Sequence, residues 1–235
     1  MNILCVIPAR GGSKRLTNKN IRSLHRKPVI AYTIEAAQQS RRVDKIVVST
    51  DDQKIARVAK KYDVQVIKRP KEYSMDSSPI EQALRHAVRY LKEREGYLAD
   101  IVIWLQANLP IRKKGQIDEV IKELINKDAD SAVTVYPVTQ YPQWMKRRDS
   151  DGLLSPFLKN AKAYRAQDVE PLYLLDGAVL AIKREALMRN VDRVGVHTFL
   201  GRRIVGVIQK EKKFSVEVDD REDLKLVKYY LKNSS

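Results

Sequence analysis

Three features of the sequence predict an α/β fold with a mostly parallel sheet covered by helices on both faces. Strand-like and helix-like segments alternate through the first half of the chain. The strand-like segments are continuous apolar runs. The helix-like segments repeat their apolar residues at helical spacing. Uninterrupted apolar runs suit strands buried on both faces, the setting of a parallel strand between two helical layers.

The elements follow in order. ILCVIPA (3–9) reads as the first strand, PVIAYTIEAAQQS (28–40) as a helix and KIVVST (45–50) as the second strand. In QKIARVAKKY (53–62), Ile55, Val58, Ala59 and Tyr62 share one helical face, and VQVIKR (64–69) is strand-like again. The helix over 79–95 aligns Ile80, Leu84, Ala87, Val88 and Leu91, and DIVIWLQ (100–106) is a fourth buried strand. GQIDEVIKELINK (115–127) carries the stripe Ile117, Val120, Ile121, Leu124 and Ile125, and SAVTVYPV (131–138) follows as a strand. Periodicity fails over 136–171, where prolines, Trp144, a DSDG turn and the cluster KRR predict an arm that leaves the main body. LYLLDGAVLAI (172–182), RIVGVIQ (203–209) and FSVEVDD (214–220) read as further strands, and EDLKLVKYYLK (222–232) as a last helix. No repeat or low-complexity linker divides the chain, so residues 1–235 are expected to form one domain with the arm inserted.

Composition bounds the function. Hydrophobic residues make up 43% of the 235, enough for a sizeable core, and no stretch is long and apolar enough to span a bilayer. At the N-terminus the cations follow the apolar run instead of preceding it, the reverse of a signal peptide. The single cysteine, Cys5, lies inside that run, which predicts a buried thiol in a reducing cytoplasm. A formal charge of +16 favours anionic partners, although most cations interleave with Glu on helices such as EQALRHAVRYLKERE. A nucleic-acid-binding protein would place aromatics among clustered cations along one face, and outside the arm few aromatics stand so.

The segment PARGGSKRLTNKN, directly after the first strand, is the densest local signal. In open parallel sheets ligands bind beyond the carboxyl ends of the strands. Gly11 and Gly12 allow close backbone approach, and Arg10, Lys14 and Lys19 add positive charge, a combination suited to a polyphosphate. Neither GxGxxG nor GxxxxGK followed by Ser or Thr is present, so this is no dinucleotide fingerprint and no Walker loop. From these residues alone, a surface loop with turn glycines stays open beside the phosphate loop.

The string IPARGGSKRLTNKNI resembles the nucleotide-binding opening of the acylneuraminate cytidylyltransferases, the CMP-sialic acid synthetases and their relatives. The resemblance continues in family order through STDD (49–52), IKRP (67–70), LQANLPIR (105–112), YRAQD (164–168), LDGAV (175–179) and SVEVDDREDL (215–224). It implies a three-layer α/β/α Rossmann-like nucleotidyltransferase fold with a protruding dimerisation arm. The activity it implies is transfer of CMP from CTP to the anomeric hydroxyl of an acidic, nonulosonate-type sugar, with pyrophosphate released. Carried over residue by residue, the nucleotide site comprises Ala9, Arg10, Gly11, Ser13, Lys14, Lys19, Asn20, Arg69, Asp76 and Ser78. Lys19, Arg10 and Asp219 are the catalytic candidates, with Lys19 facing the leaving pyrophosphate. The family's D-x-D appears here as Glu217-Val218-Asp219, the candidate Mg2+ ligands; alternation along an extended segment sets both carboxylates on one side. On those residues alone, an acidic segment capping the next helix is an equal reading.

The sugar side departs from the family. The candidates are Gln106, Lys146, Arg165, Gln167 and Asp176. The family's usual R-R-Q-D is Arg165-Ala166-Gln167-Asp168 here, and Leu180 stands where an aromatic is common. Loss of an Arg and an aromatic predicts a changed sugar preference. The arm, by resemblance, reaches a second subunit of a cytoplasmic homodimer, Lys146 and Arg165 meeting the sugar carboxylate. The enzyme alternative is a related nucleotidyltransferase acting on 3-deoxy-manno-octulosonate or using another nucleotide. His25, His86 and His197 lack metal spacing, and His86 is expected on the surface of its helix. Cys5 is read as core, and Asp51 and Asp52 as a helix cap or an indirect nucleotide contact.

Overall fold

The computed structural model describes residues 1–159, 165–189 and 195–233. In chain order the strands are β1 (Ile3–Pro8), β2 (Ser23–Leu24), β3 (Lys27–Pro28), β4 (Lys45–Thr50), β5 (Gln65–Lys68), β6 (Ile101–Trp104), β7 (Ser131–Pro137), β8 (Lys146–Arg148), β9 (Leu154–Pro156), β10 (Tyr173–Lys183) and β11 (Ile204–Ile208). The α-helices are α1 (Val29–Gln38), α2 (Gln53–Lys60), α3 (Ile80–Glu95), α4 (Gln116–Asn126), α5 (Arg184–Arg189) and α6 (Arg221–Lys232). The central sheet has seven strands in the order β11-β7-β10-β6-β1-β4-β5. All its pairings are parallel except those of β10, which runs antiparallel to both β6 and β7. The predicted mostly parallel sheet is therefore present, with one reversed strand that the apolar run LYLLDGAVLAI could not announce.

The side chains of β1 explain the layering. Ile3, Cys5 and Ile7 join the core on the face shared with α1, α2 and α4, while Leu4 and Val6 join the core shared with α3 and α5. A strand that buries alternate residues in two cores reads as one continuous apolar run. Cys5 is fully buried, and burial pushes its thiol pKa up to about 12, so it is an inert core residue as predicted. Helix ends follow their signals: Asp52 caps α2 by accepting from the amides of Lys54 and Ile55, and Gly96, at φ 65°, closes α3.

The topology creates one crevice. From central β1 the chain moves outward to β4 and β5, then crosses to the other side of β1 to form β6. Beyond the carboxyl ends of β1 and β6 lies the point where strand order reverses. A third apolar cluster seals its edge, joining Leu16 and Leu24 from the N-terminal region to Val216, Val218, Leu224 and Val227 near α6. This cluster brings segments about 200 positions apart to the same mouth.

Two expectations are corrected here. Residues 214–220 are not a strand of the sheet: Lys212–Ser215 is a 3-10 turn, followed by an extended segment. The amide of Val218 donates to the carbonyl of Asn108 (2.7 Å), a loop and not a strand, so no ladder forms. Alternation survives, and it still turns Val216 and Val218 into the third cluster. His86 is half-buried between Tyr73 and Tyr90, with ring centroids at 5.7 and 6.3 Å, and is no surface residue; burial lowers its pKa.

Between β7 and β10 the described residues include the hairpin β8–β9, a separate two-stranded sheet. Tyr141 and Trp144 pack edge to face at 5.1 Å, and Arg147 lies over the ring of Phe157 at 4.8 Å. Trp144, Met145, Leu153, Leu154 and Phe157 stay exposed. Tyr164, the first residue of the YRAQD motif, falls outside the described residues. No α-helix among the described residues is long and apolar enough to cross a membrane.

Candidate active site

The loop after β1 is built tightly. The amide of Ala9 donates to the Ser49 carbonyl (2.9 Å), extending the β1–β4 ladder by one residue. Gly11 then passes so close to the Asp52 cap that a Cβ there would sit 2.6 Å from its carboxylate oxygen. Only glycine fits, for a packing reason. Its amide donates to Asp51 Oδ1 (3.2 Å), so Asp51 organises the loop while Asp52 caps α2. The amide of Ser13 turns back to the Gly11 carbonyl at 2.9 Å. Buried Leu16 anchors the far half of the loop in the third cluster, ahead of the 3-10 turn Lys19–Ile21. Asn20, buried in that turn, donates to the Arg10 carbonyl (3.2 Å), and its Oδ1 has no hydrogen-bond partner among the described residues.

The loop's cations are held by carboxylates. Arg10 and Lys14 both pair with Asp76, which holds the Asp76 carboxyl below its ordinary range. Ser78 accepts from the amide of Met75 (3.1 Å) and donates to the Glu72 carbonyl (2.9 Å), closing the turn that presents Asp76. Lys19 donates to Asp219 Oδ1 (2.7 Å) and Arg15 to Asp219 Oδ2 (2.6 Å). Arg15, which the motif reading passed over, thus shares a carboxylate with Lys19; its place inside the loop was the available signal.

Arg69 is different. Its side chain is 5% exposed, and its Nε and Nη2 are buried without a hydrogen-bond partner among the described residues. The nearest carboxylate oxygen, on Asp51, is 3.7 Å away. Burial lowers its pKa. An under-partnered guanidinium on the wall of a crevice is able to receive an anion's oxygens.

Opposite stand the two acids. Gln106 donates to Glu217 Oε2 (2.6 Å) and Asn108 to Asp219 Oδ1 (3.0 Å), so the loop after β6 orients both carboxylates. Burial, followed by the charge of Asp219, raises the Glu217 pKa above the ordinary 4.5. Beside them Arg112, half-buried, donates to the carbonyls of Gln106 (2.8 Å) and Ala178 (3.0 Å) and to Thr33 Oγ1 (2.8 Å); burial lowers its pKa to about 10. Two carboxylates, one of them destabilised by its neighbour's charge, suit a divalent cation that keeps water and phosphate oxygens as its other ligands. No third acidic, His or Cys side chain joins them among the described residues.

Two depressions meet at this point. One, of about 200 Å³, is lined by Arg10, Lys19, Arg69, Asp76 and Ser78 among others, so the structure gathers much of the expected nucleotide set. Tyr73 and Trp104, which sequence reasoning did not single out, complete its walls. The second, of about 260 Å³, shares Trp104 and Gln106 with the first and includes Glu217, Asp176, Leu180 and His197. His197, set aside for lacking metal spacing, therefore stands at a pocket. Asp176 lines the wall, but Thr134, Gln209, Ser215 and the Ala178 amide already occupy its oxygens. Lys146, Arg165 and Gln167 lie on the exposed arm and are not brought to this chain's own depressions; Arg165 pairs with Asp168 at 3.0 Å. A larger depression of about 630 Å³, beside Ser40, Lys113 and Asp118, holds neither crevice carboxylate.

Comparison with known proteins follows the same lines. A cytidylyltransferase family model matches residues 4–215. The chain is 30% identical over 225 residues to the N-acylneuraminate cytidylyltransferase of Streptococcus agalactiae serotype V, covering 95% of this chain and 52% of that protein. It is 36% identical over 193 residues to the CMP-N,N'-diacetyllegionaminic acid synthase of Legionella pneumophila, covering 81% of this chain and 82% of that one. The chain thus spans about half the length of the streptococcal relative and most of the legionellal one. The solved structure of a CMP:2-keto-3-deoxy-manno-octonic acid synthetase complexed with CTP superposes with a TM-score of 0.74 over 100% of both chains at 19% identity, a likeness of fold.

Proposed function

The chain belongs to the cytidylyltransferase family, among the relatives of the acylneuraminate enzymes, and from that premise we propose that it transfers CMP from CTP to the anomeric hydroxyl of an acidic sugar. The observation that carries this reading is the meeting of two depressions at Trp104 and Gln106, with loop cations on one side and Glu217 and Asp219 on the other. A nucleoside triphosphate in the first depression lets Lys19 and Arg15 exchange Asp219 for phosphate oxygens, and lets Arg10 and Lys14 do the same with Asp76. Arg69, whose nearest carboxylate oxygen is 3.7 Å away on Asp51, gains an anionic partner within hydrogen-bond reach. Such a cradle stabilises charge as the bond to pyrophosphate breaks, which is most of what a protein contributes to phosphoryl transfer.

Glu217 and Asp219 would hold Mg2+, which when bound would supply charge neutralisation for the transferring group. Gln106 keeps Glu217 turned toward the shared mouth, and Asn108 does so for Asp219. The acidic sugar occupies the second depression, whose hydroxyl faces the α-phosphorus across Gln106. That depression has no Lys or Arg in its lining. The sugar's carboxylate meets Lys146 and Arg165 from the arm of a second copy in a homodimer, and Gln167 beside them. The exposed Trp144, Met145, Leu153, Leu154 and Phe157 support that pairing, because an apolar patch of this kind is unusual on a monomer. A reducing cytoplasm suits the lone buried thiol of Cys5.

The test is calorimetry and pyrophosphate release with CTP, ATP, GTP and UTP, each with magnesium and a set of acidic nonulosonate sugars. CTP alone should support turnover. Lys19→Ala and Asp219→Ala should lose pyrophosphate release by at least about 10²-fold with the melting transition retained. Absence of any heat on mixing with CTP and magnesium would overturn the reading, and preference for another nucleotide would reassign it. Light scattering that returns only the 27.0 kDa monomer would remove the homodimer.

A further inference from the structure

We propose that the depression of about 630 Å³ between α1 and α4 is a second anion site, fitted to a small phosphate ester that also carries a hydroxyl group. It lies outside the crevice, and the inference stands apart from the proposed cytidylyl transfer.

The charges around this depression do not balance. Arg41, Arg112, Lys113 and Lys114 line it against a single acid, Asp118. That carboxylate is already engaged, accepting from Ser40 Oγ and from the Arg41 amide (3.1 Å). Lys113 pairs with Glu119 (3.0 Å), whereas no carboxylate pairs with Arg41 or Lys114 among the described residues. Arg112 is half-buried, and its four hydrogen bonds all go to uncharged oxygens: the carbonyls of Gln106, Leu109 and Ala178, and Thr33 Oγ1. Those bonds satisfy its N–H groups without cancelling its charge. Uncompensated cations around one concavity focus a positive potential into it, which favours a multivalent anion.

Two further features favour a phosphate ester over a simple inorganic ion. The N-cap of α4 is Gly115, which has no side chain to offer, so the first turn of that helix keeps amides for an outside acceptor. Gln116, the first residue of α4, belongs to the lining and is only 3% exposed. Its Nε2 donates to Gln209 Oε1, while its own Oε1 has no hydrogen-bond partner among the described residues. A buried acceptor without a donor is destabilising, and a ligand hydroxyl is the group that relieves it. The volume suits a sugar phosphate or a nucleoside monophosphate, both of which carry the phosphate and the hydroxyls.

The experiment is titration calorimetry on the protein held in excess CTP and magnesium without an acceptor sugar, so that the crevice is occupied. The titrants are ribose 5-phosphate, CMP and inorganic sulfate. One binding event per chain is expected with at least one of the two esters, and which of them binds tells a sugar phosphate from a nucleotide. Sulfate, with no proton to give Gln116, should bind at least about 10-fold more weakly. The double variant Arg41→Ala/Lys114→Ala, changed at two exposed positions outside the crevice, should weaken the ester at least about 10-fold. Its pyrophosphate release without added ester should stay at the parental rate. No saturable heat from either ester, an affinity unchanged in the double variant, or sulfate binding as tightly as the esters overturns the inference. Because the double variant locates the heat, that result does not depend on whether CTP itself binds, and the proposed function stands or falls separately.

Discussion

Replacing Arg69 by Met should make the empty protein more stable and the nucleotide-binding protein worse. The side chain is 5% exposed, with two guanidinium nitrogens unpartnered and Asp51 only within 3.7 Å. Methionine keeps the length and removes the charge. Relief of an unsatisfied buried polar group is worth about 1–3 kcal/mol. At roughly 2–4 °C per kcal/mol for a chain of this size, the melting temperature should rise by about 2–12 °C. Asp51 loses its partner in the exchange, but it still accepts from the Gly11 amide and its side chain is 27% exposed, so water covers the loss. On the ligand side, hydrogen bonds to charged groups contribute about 1.5–3 kcal/mol each. Two lost donors therefore predict CTP binding weaker by about 10²- to 10⁴-fold. Calorimetric melting without ligand and titration with CTP and magnesium measure the two halves. A variant that melts lower than its parent and binds CTP equally well would refute the reasoning, since Arg69 would then be an ordinary structural cation.

Other consequences can be checked in the same preparation. Because burial and Asp219 raise the Glu217 pKa, the charged form is penalised in the folded state. That penalty is absent below 4.5 and grows as pH rises through the raised value, so Glu217→Gln should gain stability over its parent toward neutral pH while losing magnesium-dependent CTP binding; a constant difference across pH would contradict this. Gly177, at φ 68°, leaves no room for a Cβ beside Gln106 Oε1. Gly177→Ala should cost about 1–2 kcal/mol of stability and, by displacing Gln106 from Glu217, slow pyrophosphate release about 10- to 100-fold; a parental rate would show that Gln106 orients nothing. Asp220 forms a capping box with Asp223, which also accepts from the Asp219 amide (2.9 Å). Asp220→Ala should therefore lower stability by about 0.5–2 kcal/mol, read as a drop in melting temperature.

The sequence carried most of the sheet because two-sided burial leaves the same mark in β1, β4 and β6: an apolar run with punctuation at its end. It could not carry the direction of β10, since an apolar run has no polarity, nor the bulge in its pairing with β7 between Leu175 and Leu180 that turns Asp176 inward. The extended segment 216–220 mimics a strand because period-2 burial, and not ladder pairing, is what a sequence pattern records. At the site, Lys19, Asp219 and Arg69 were named by motif. His197 and Trp104 were not, because each reaches the second depression by tertiary packing, from a turn and from the sheet, without a local pattern. Arg15 escaped for the opposite reason: a cation beside other cations does not show which carboxylate it will meet.

The joining of Lys19 to Asp219 across 200 positions has a meaning in time as well as in space. A ribosome adding about 5–20 residues per second needs roughly 10–40 s to travel between them. Throughout that interval Arg15 and Lys19 lack the carboxylate that they share in the folded protein, next to an RNA machine that is itself a polyanion. The loop gains its folded surroundings only when Val216 and Val218 dock on Leu16 and Leu24, in the last stretch of translation.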